Sequence, residues 1–89
     1  MTTRFLVSGR VQHVGYRWFV MTKAKLAGVT GYIRNKSDGT VEIYLNGNRE
    51  NIDAMYHMCM QGPTFARVDG IDVNRDVPPP ADTDIFYTF

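Results

Sequence analysis

Twice along this 89-residue chain the spacing of apolar residues changes from two to helical and back. Phe5, Val7, Gly9 and Val11 alternate with Arg4, Leu6, Ser8 and Arg10, which predicts a first strand over about residues 3–11. After a short loop, Tyr16, Phe19, Val20, Ala24 and Ala27 fall on one helical stripe, with Lys23 and Lys25 outside it and Gly28 as a stop. Val29, Gly31 and Ile33 then alternate with Thr30, Tyr32 and Arg34. The turn residues Lys36-Ser37-Asp38-Gly39 separate this second strand from a third, in which Val41, Ile43 and Leu45 alternate with Glu42 and Tyr44. Ile52, Met55, Tyr56 and Cys59 define a second helix, with Asn48 as N-cap and Gly62-Pro63 as its end. Ala66 and Val68 have one parity and Ile71 and Val73 the other, so a bulge is expected beside Gly70 in a fourth strand. Three prolines, Pro78 to Pro80, rule out a central strand there, and Asp84–Phe89 reads as a short aromatic edge strand.

The order strand, helix, strand, strand, helix, strand, plus a terminal strand, is the split βαβ pattern of the ferredoxin-like α+β class. It predicts a mostly antiparallel sheet with both helices on one face. That fold hosts many functions, so function has to be read from a site.

The length fits one domain, and residues 1–89 are read as such. A net charge of +1 leaves no broad basic field for nucleic acid, so any anion site must be local. One cysteine permits no internal disulfide. The first residues lack the apolar centre of a signal peptide, and no apolar run approaches a membrane span, so the cytoplasm is the expected compartment and no membrane partner is expected. Two histidines and one cysteine have no metal-ligand spacing, so neither a metal nor another cofactor is expected.

The chemistry concentrates in Gly9-Arg10-Val11-Gln12-His13-Val14-Gly15-Tyr16-Arg17, which runs from strand through loop into helix. A helix start offers N–H groups without partners and a partial positive charge, so phosphate docks there readily. Arg17, in the first turn, carries a planar fork that can grip two phosphate oxygens. A cation at this end opposes the helix dipole, and a bound anion relieves the conflict.

Residues 9–17 resemble the acylphosphatase signature, Gly-x-Val-Gln-Gly-Val-x-Phe-Arg. Gly31-Tyr32-Ile33-Arg34-Asn35 resembles that family's second motif, with Asn35 eighteen positions after Arg17. Asp38-Gly39-Thr40-Val41-Glu42, and Gly62-Pro63 followed by Ala66-Arg67-Val68, match as well, so the likeness spans nearly the whole chain in order. The resemblance implies hydrolysis of the mixed anhydride of a carboxylic acid and phosphate, without metal or cofactor, giving a carboxylate and inorganic phosphate. It implies that Arg17 binds the phosphate, that Gln12, His13, Val14, Gly15, Tyr16 and Arg17 form the phosphate-binding loop, and that Asn35 positions the attacking water. Three positions depart from the family pattern. His13 stands where the signature has glycine, Tyr16 where it has phenylalanine, and Leu26-Ala27 where the family has a leucine directly before the glycine.

Other readings of these residues are plainer. Arg17 alone could be a surface arginine, and Asn35 could merely open the Lys36–Gly39 turn. Arg34 reads as part of a solvated face, Cys59 as core and His57 as solvated. Tyr16, Trp18 and Phe19 could suggest a base-stacking platform, but such residues more often fill a core or its edge. The aromatic motif of ferredoxin-like RNA binders is missing, which disfavours a nucleic-acid partner. A phosphate-binding domain without catalysis remains the alternative, because of His13. Nothing in the sequence calls for an obligate oligomer, and a monomer is expected.

Overall fold

The computed structural model describes residues 2–89. The chain runs β1 (Thr2–Arg10), α1 (Tyr16–Ala27), β2 (Thr30–Asn35), β3 (Val41–Asn46), α2 (Arg49–Gln61) and β4 (Arg67–Val77). A single 3-10 turn (Thr83–Ile85) then leads to β5 (Tyr87–Thr88). The strands form one sheet in the order β4-β1-β3-β2-β5, with every neighbouring pair antiparallel.

The alternation seen in the sequence sorts side chains between the two sheet faces. Phe5 and Val7 of β1, Ile33 of β2, and Val41, Ile43 and Leu45 of β3 are all fully buried. They meet Tyr16, Val20 and Ala24 of α1 and Ile52, Met55 and Cys59 of α2 in one cluster. Both helices therefore cover the same face of the sheet, as the order of elements requires.

Helix ends follow local chemistry. The Asn48 side chain accepts a hydrogen bond from the Asn51 N–H at 2.8 Å, capping α2. The Gly28 and Gly62 N–H groups return to carbonyls of their own helices. The expected bulge is present: Ser8 faces Gly70 and Gly9 faces Val68, so Asp69 is the extra residue. Gly9 adopts φ 121, and any Cβ there would strike the Arg67 carbonyl, so this position admits only glycine.

The terminal strand is shorter than its aromatic pattern suggested. Asp82 accepts from the Asp84 N–H and caps the 3-10 turn, leaving Tyr87 and Thr88 to pair with Ile33 and Tyr32 at the sheet edge. Phe89 adds two backbone hydrogen bonds with Gly31, both 3.0 Å.

Arg34 does not lie on a solvated face. It stands opposite Glu42 in the β2–β3 ladder and bonds its carboxylate at 2.7 Å. Arg4 on β1 bonds the other oxygen of the same carboxylate, also at 2.7 Å. Glu42 is thus buried between two strands that both supply cations. Burial pushes its carboxyl pKa up, but the hydrogen bonds and charges of Arg4 and Arg34 outweigh that and hold it below the ordinary carboxylate value.

Candidate active site

The loop between β1 and α1 is fixed at both ends. At its start, the Gln12 side-chain amide donates to the Lys36 carbonyl at 2.7 Å and the Thr40 carbonyl at 2.9 Å. These two residues close the β2–β3 turn, where the Lys36 N–H also bonds the Thr40 carbonyl. Gln12 therefore ties the loop to the turn that directly follows Asn35.

At its far end, the buried Tyr16 hydroxyl donates to the Cys59 carbonyl at 2.7 Å. Cys59 lies in the last turn of α2, where carbonyls have no partner within the helix, so the tyrosine that replaces the signature's phenylalanine finds a free acceptor. Burial raises the Tyr16 phenol well above its ordinary range and pushes the Cys59 thiol up to about 12. Both groups stay protonated and structural at neutral pH.

Between these anchors the backbone twice enters the left-handed region, at His13 (φ 60) and at Gly15 (φ 79). Gly15 is the N-cap of α1. It provides no side-chain cap, and the first turn holds no acidic residue. Helix geometry leaves the N–H groups of Gly15, Tyr16, Arg17 and Trp18 without intrahelical acceptors. The first helical bond is from the Phe19 N–H to the Gly15 carbonyl at 3.0 Å. The result is an uncapped, electropositive helix end with a cation in its first turn.

A pocket of about 340 Å³ opens at this end. His13, Gly15, Tyr16, Arg17 and Asn35 all line it, so α1 and the end of β2 deliver the two predicted site residues to one cavity. Gln12 and Val14 lie outside that lining. The Gln12 amide is committed to the hairpin turn instead, so its side chain braces the loop.

Four lining residues were not picked out as part of the site from the sequence: Val11, Trp18, Met21 and Tyr87. The Arg17 guanidinium carbon lies 3.9 Å from the centroid of the Tyr87 ring, a cation-π stack. Only the pairing of β5 with β2 brings Tyr87 here, and the clustered C-terminal aromatics were its one sequence signal. Trp18 neither fills the core nor packs at its edge, since it is 73% exposed beside the pocket. Among the described residues Arg17 makes no ion pair, whereas Arg4, Arg34, Arg49, Arg67 and Arg75 all do. Among the same residues no group of three or more His, Cys, Asp or Glu side chains is arranged to hold a metal ion.

The arrangement can hold a phosphate against the helix end and the guanidinium, with a side-chain amide at the rim to orient a water. A family model described as acylphosphatase matches residues 3–86. The acylphosphatase of Methylococcus capsulatus is 48% identical over 70 residues, spanning 79% of this chain and 76% of that protein. The acylphosphatase of Koribacter versatilis is 43% identical over 77 residues, spanning 86% and 70%. Among solved structures, that of acylphosphatase from Bacillus subtilis superposes with a TM-score of 0.80 at 34% identity, covering 82% of this chain and 81% of that one.

Proposed function

The chain belongs to the acylphosphatase family, and from that premise we propose how its residues divide the work. The enzyme hydrolyses the carboxyl-phosphate bond of acyl phosphates, releasing a carboxylate and inorganic phosphate. In the proposed arrangement the phosphate sits at the start of α1, cradled by backbone N–H groups of the loop from Gln12 to Arg17. The Arg17 guanidinium grips its oxygens. Asn35 holds a water through its side-chain carbonyl, in line with the bond to be broken.

The chemistry asks little more of the protein. The leaving group is a carboxylate, stable enough to depart without a general acid. Phosphoryl transfer passes through a loose transition state, so positioning and charge stabilisation supply most of the rate. The proton that the water sheds leaves with the phosphate product. A neutral amide is therefore a sufficient partner for the water, and no carboxylate or imidazole has to act as a base.

One observation carries this reading: Arg17, the uncapped α1 terminus and Asn35 line the same pocket. The direct test is turnover of benzoyl phosphate in excess chelator. Undiminished hydrolysis with inorganic phosphate as a competitive inhibitor supports it. Loss in chelator that Mg²⁺ or Zn²⁺ restores would replace the metal-free route, and binding of phosphate without turnover would leave a binding domain only.

We also propose that the chain works as a monomeric single domain on free small molecules. One sheet and one core account for the described residues. The cytoplasm is the proposed compartment, in keeping with a lone buried cysteine in the thiol form. Among the described residues, no helix is long and apolar enough to cross a membrane.

A further inference from the structure

Beside the phosphate pocket lies a larger groove of about 620 Å³. Trp18 and Met21 line both cavities, so the two adjoin along α1. From there the groove follows one face of α1, where Trp18, Met21, Thr22 and Lys25 recur at helical spacing. Val29, directly before β2, and Phe89, beyond β5, line it as well. Its lining is mostly apolar, and at its mouth a tryptophan that packs into no core stands 73% exposed.

An acyl phosphate has one charged end and one uncharged end, separated by a single bridging oxygen. The charged end belongs at the α1 terminus with Arg17. A dianion gains nothing from an apolar groove, whereas a hydrocarbon chain gains from every methylene it removes from water. We propose that the groove is the acyl-group subsite, so that the enzyme favours acyl phosphates with an extended apolar chain over acetyl phosphate. This rests on the acylphosphatase activity and adds a substrate class to it. From Trp18 to Lys25 the helix advances about 10 Å, which suits a chain of about eight carbons.

The test is the series acetyl, butyryl and octanoyl phosphate. A groove open on one side captures about half the transfer free energy of each methylene, or about a twofold gain in kcat/KM per methylene, so over four methylenes octanoyl phosphate should exceed butyryl phosphate by roughly fifteenfold. Thr22→Phe places a ring in the groove without touching the phosphate pocket. It should bring octanoyl phosphate down to the butyryl level while leaving acetyl phosphate within about twofold. A second readout uses Trp18, the sole tryptophan, as a reporter. Octylphosphonate should blue-shift its emission, and methylphosphonate should not.

Equal kcat/KM along the series, with acetyl phosphate still turned over, would overturn the subsite. So would a Thr22→Phe variant that slows all three substrates alike. If the parent hydrolyses none of them, the activity itself is wrong, and the two phosphonates then decide the groove independently: no difference between them removes it.

Discussion

The Arg17 guanidinium carbon lies over the Tyr87 ring, 3.9 Å from its centroid, so the last strand of the sheet holds the cation in the first turn of the first helix. The stack limits the rotamers of a long side chain before any ligand arrives. Part of the entropy of gripping phosphate is thereby spent on folding and not on binding.

Arg17→Ala should abolish phosphate inhibition and lower kcat/KM by about 10³-fold, as removal of a dominant transition-state donor does. Arg17→Lys should recover only part, since an ammonium lacks the two-pronged geometry. Tyr87→Leu should weaken phosphate inhibition by roughly threefold, the size of a partly exposed cation-π contact. Inhibition constants for phosphate across the three variants check the order. Near-normal turnover in Arg17→Ala would remove Arg17 from the site.

Asn35→Ala should lower kcat by about 10²-fold while phosphate inhibits as before, because water alignment acts on the transition state alone. The side chain is exposed at the end of β2, so stability should change by no more than about 0.5 kcal/mol. Steady-state kinetics with phosphate as inhibitor separate the two effects. Weaker phosphate inhibition at unchanged kcat would make Asn35 a binding residue.

His13 occupies the left-handed region at φ 60, where the family signature has glycine. A non-glycine residue there costs about 1–2 kcal/mol, offset in part by its lower freedom in the unfolded chain. His13→Gly should therefore raise unfolding free energy by up to about 1 kcal/mol. The loop's donors are backbone N–H groups, which both residues possess, so kcat/KM should stay within about tenfold of the parent. Urea melts and benzoyl phosphate kinetics on the same samples check both. A loss beyond a hundredfold would show that the imidazole takes part in the chemistry.

Glu42 gives a stability test far from the pocket. Its carboxyl pKa is depressed in the fold, so the unfolded chain binds the proton first as pH falls. The stabilisation is fully present above the unfolded value of about 4.3 and is lost as pH drops through the lower folded value. Glu42→Gln should cost about 2 kcal/mol at pH 7, since it leaves Arg4 and Arg34 beside a neutral amide. It should also flatten the fall in stability between about pH 5 and 3. Denaturant melts at several pH values measure both. Parallel acid limbs for parent and variant would contradict the assigned pairing.

The elements of this protein were legible in its sequence because each depends on residues close together in the chain. Period-two runs, helical stripes, the Asn48 cap, the Gly28 and Gly62 stops and the parity switch at Gly70 are all local. So was the pairing of Arg17 with Asn35 as candidates, through the motifs that carry them.

What remained hidden depends on residues distant in sequence. Alternation alone put Arg34 on a solvated face. The strand order β1-β3-β2 instead sets Arg4 and Arg34 on either side of Glu42. Gln12 sits in the signature, but its amide turns to the hairpin because the Lys36 and Thr40 carbonyls come within reach only when the sheet forms. Tyr87 meets Arg17, and Trp18 stays exposed along a groove, because β5 pairs at the sheet edge beside α1. Periodicity states which face of an element is apolar. Which elements become neighbours, and hence which side chains share a pocket, follows from burying all those faces at once in a single core.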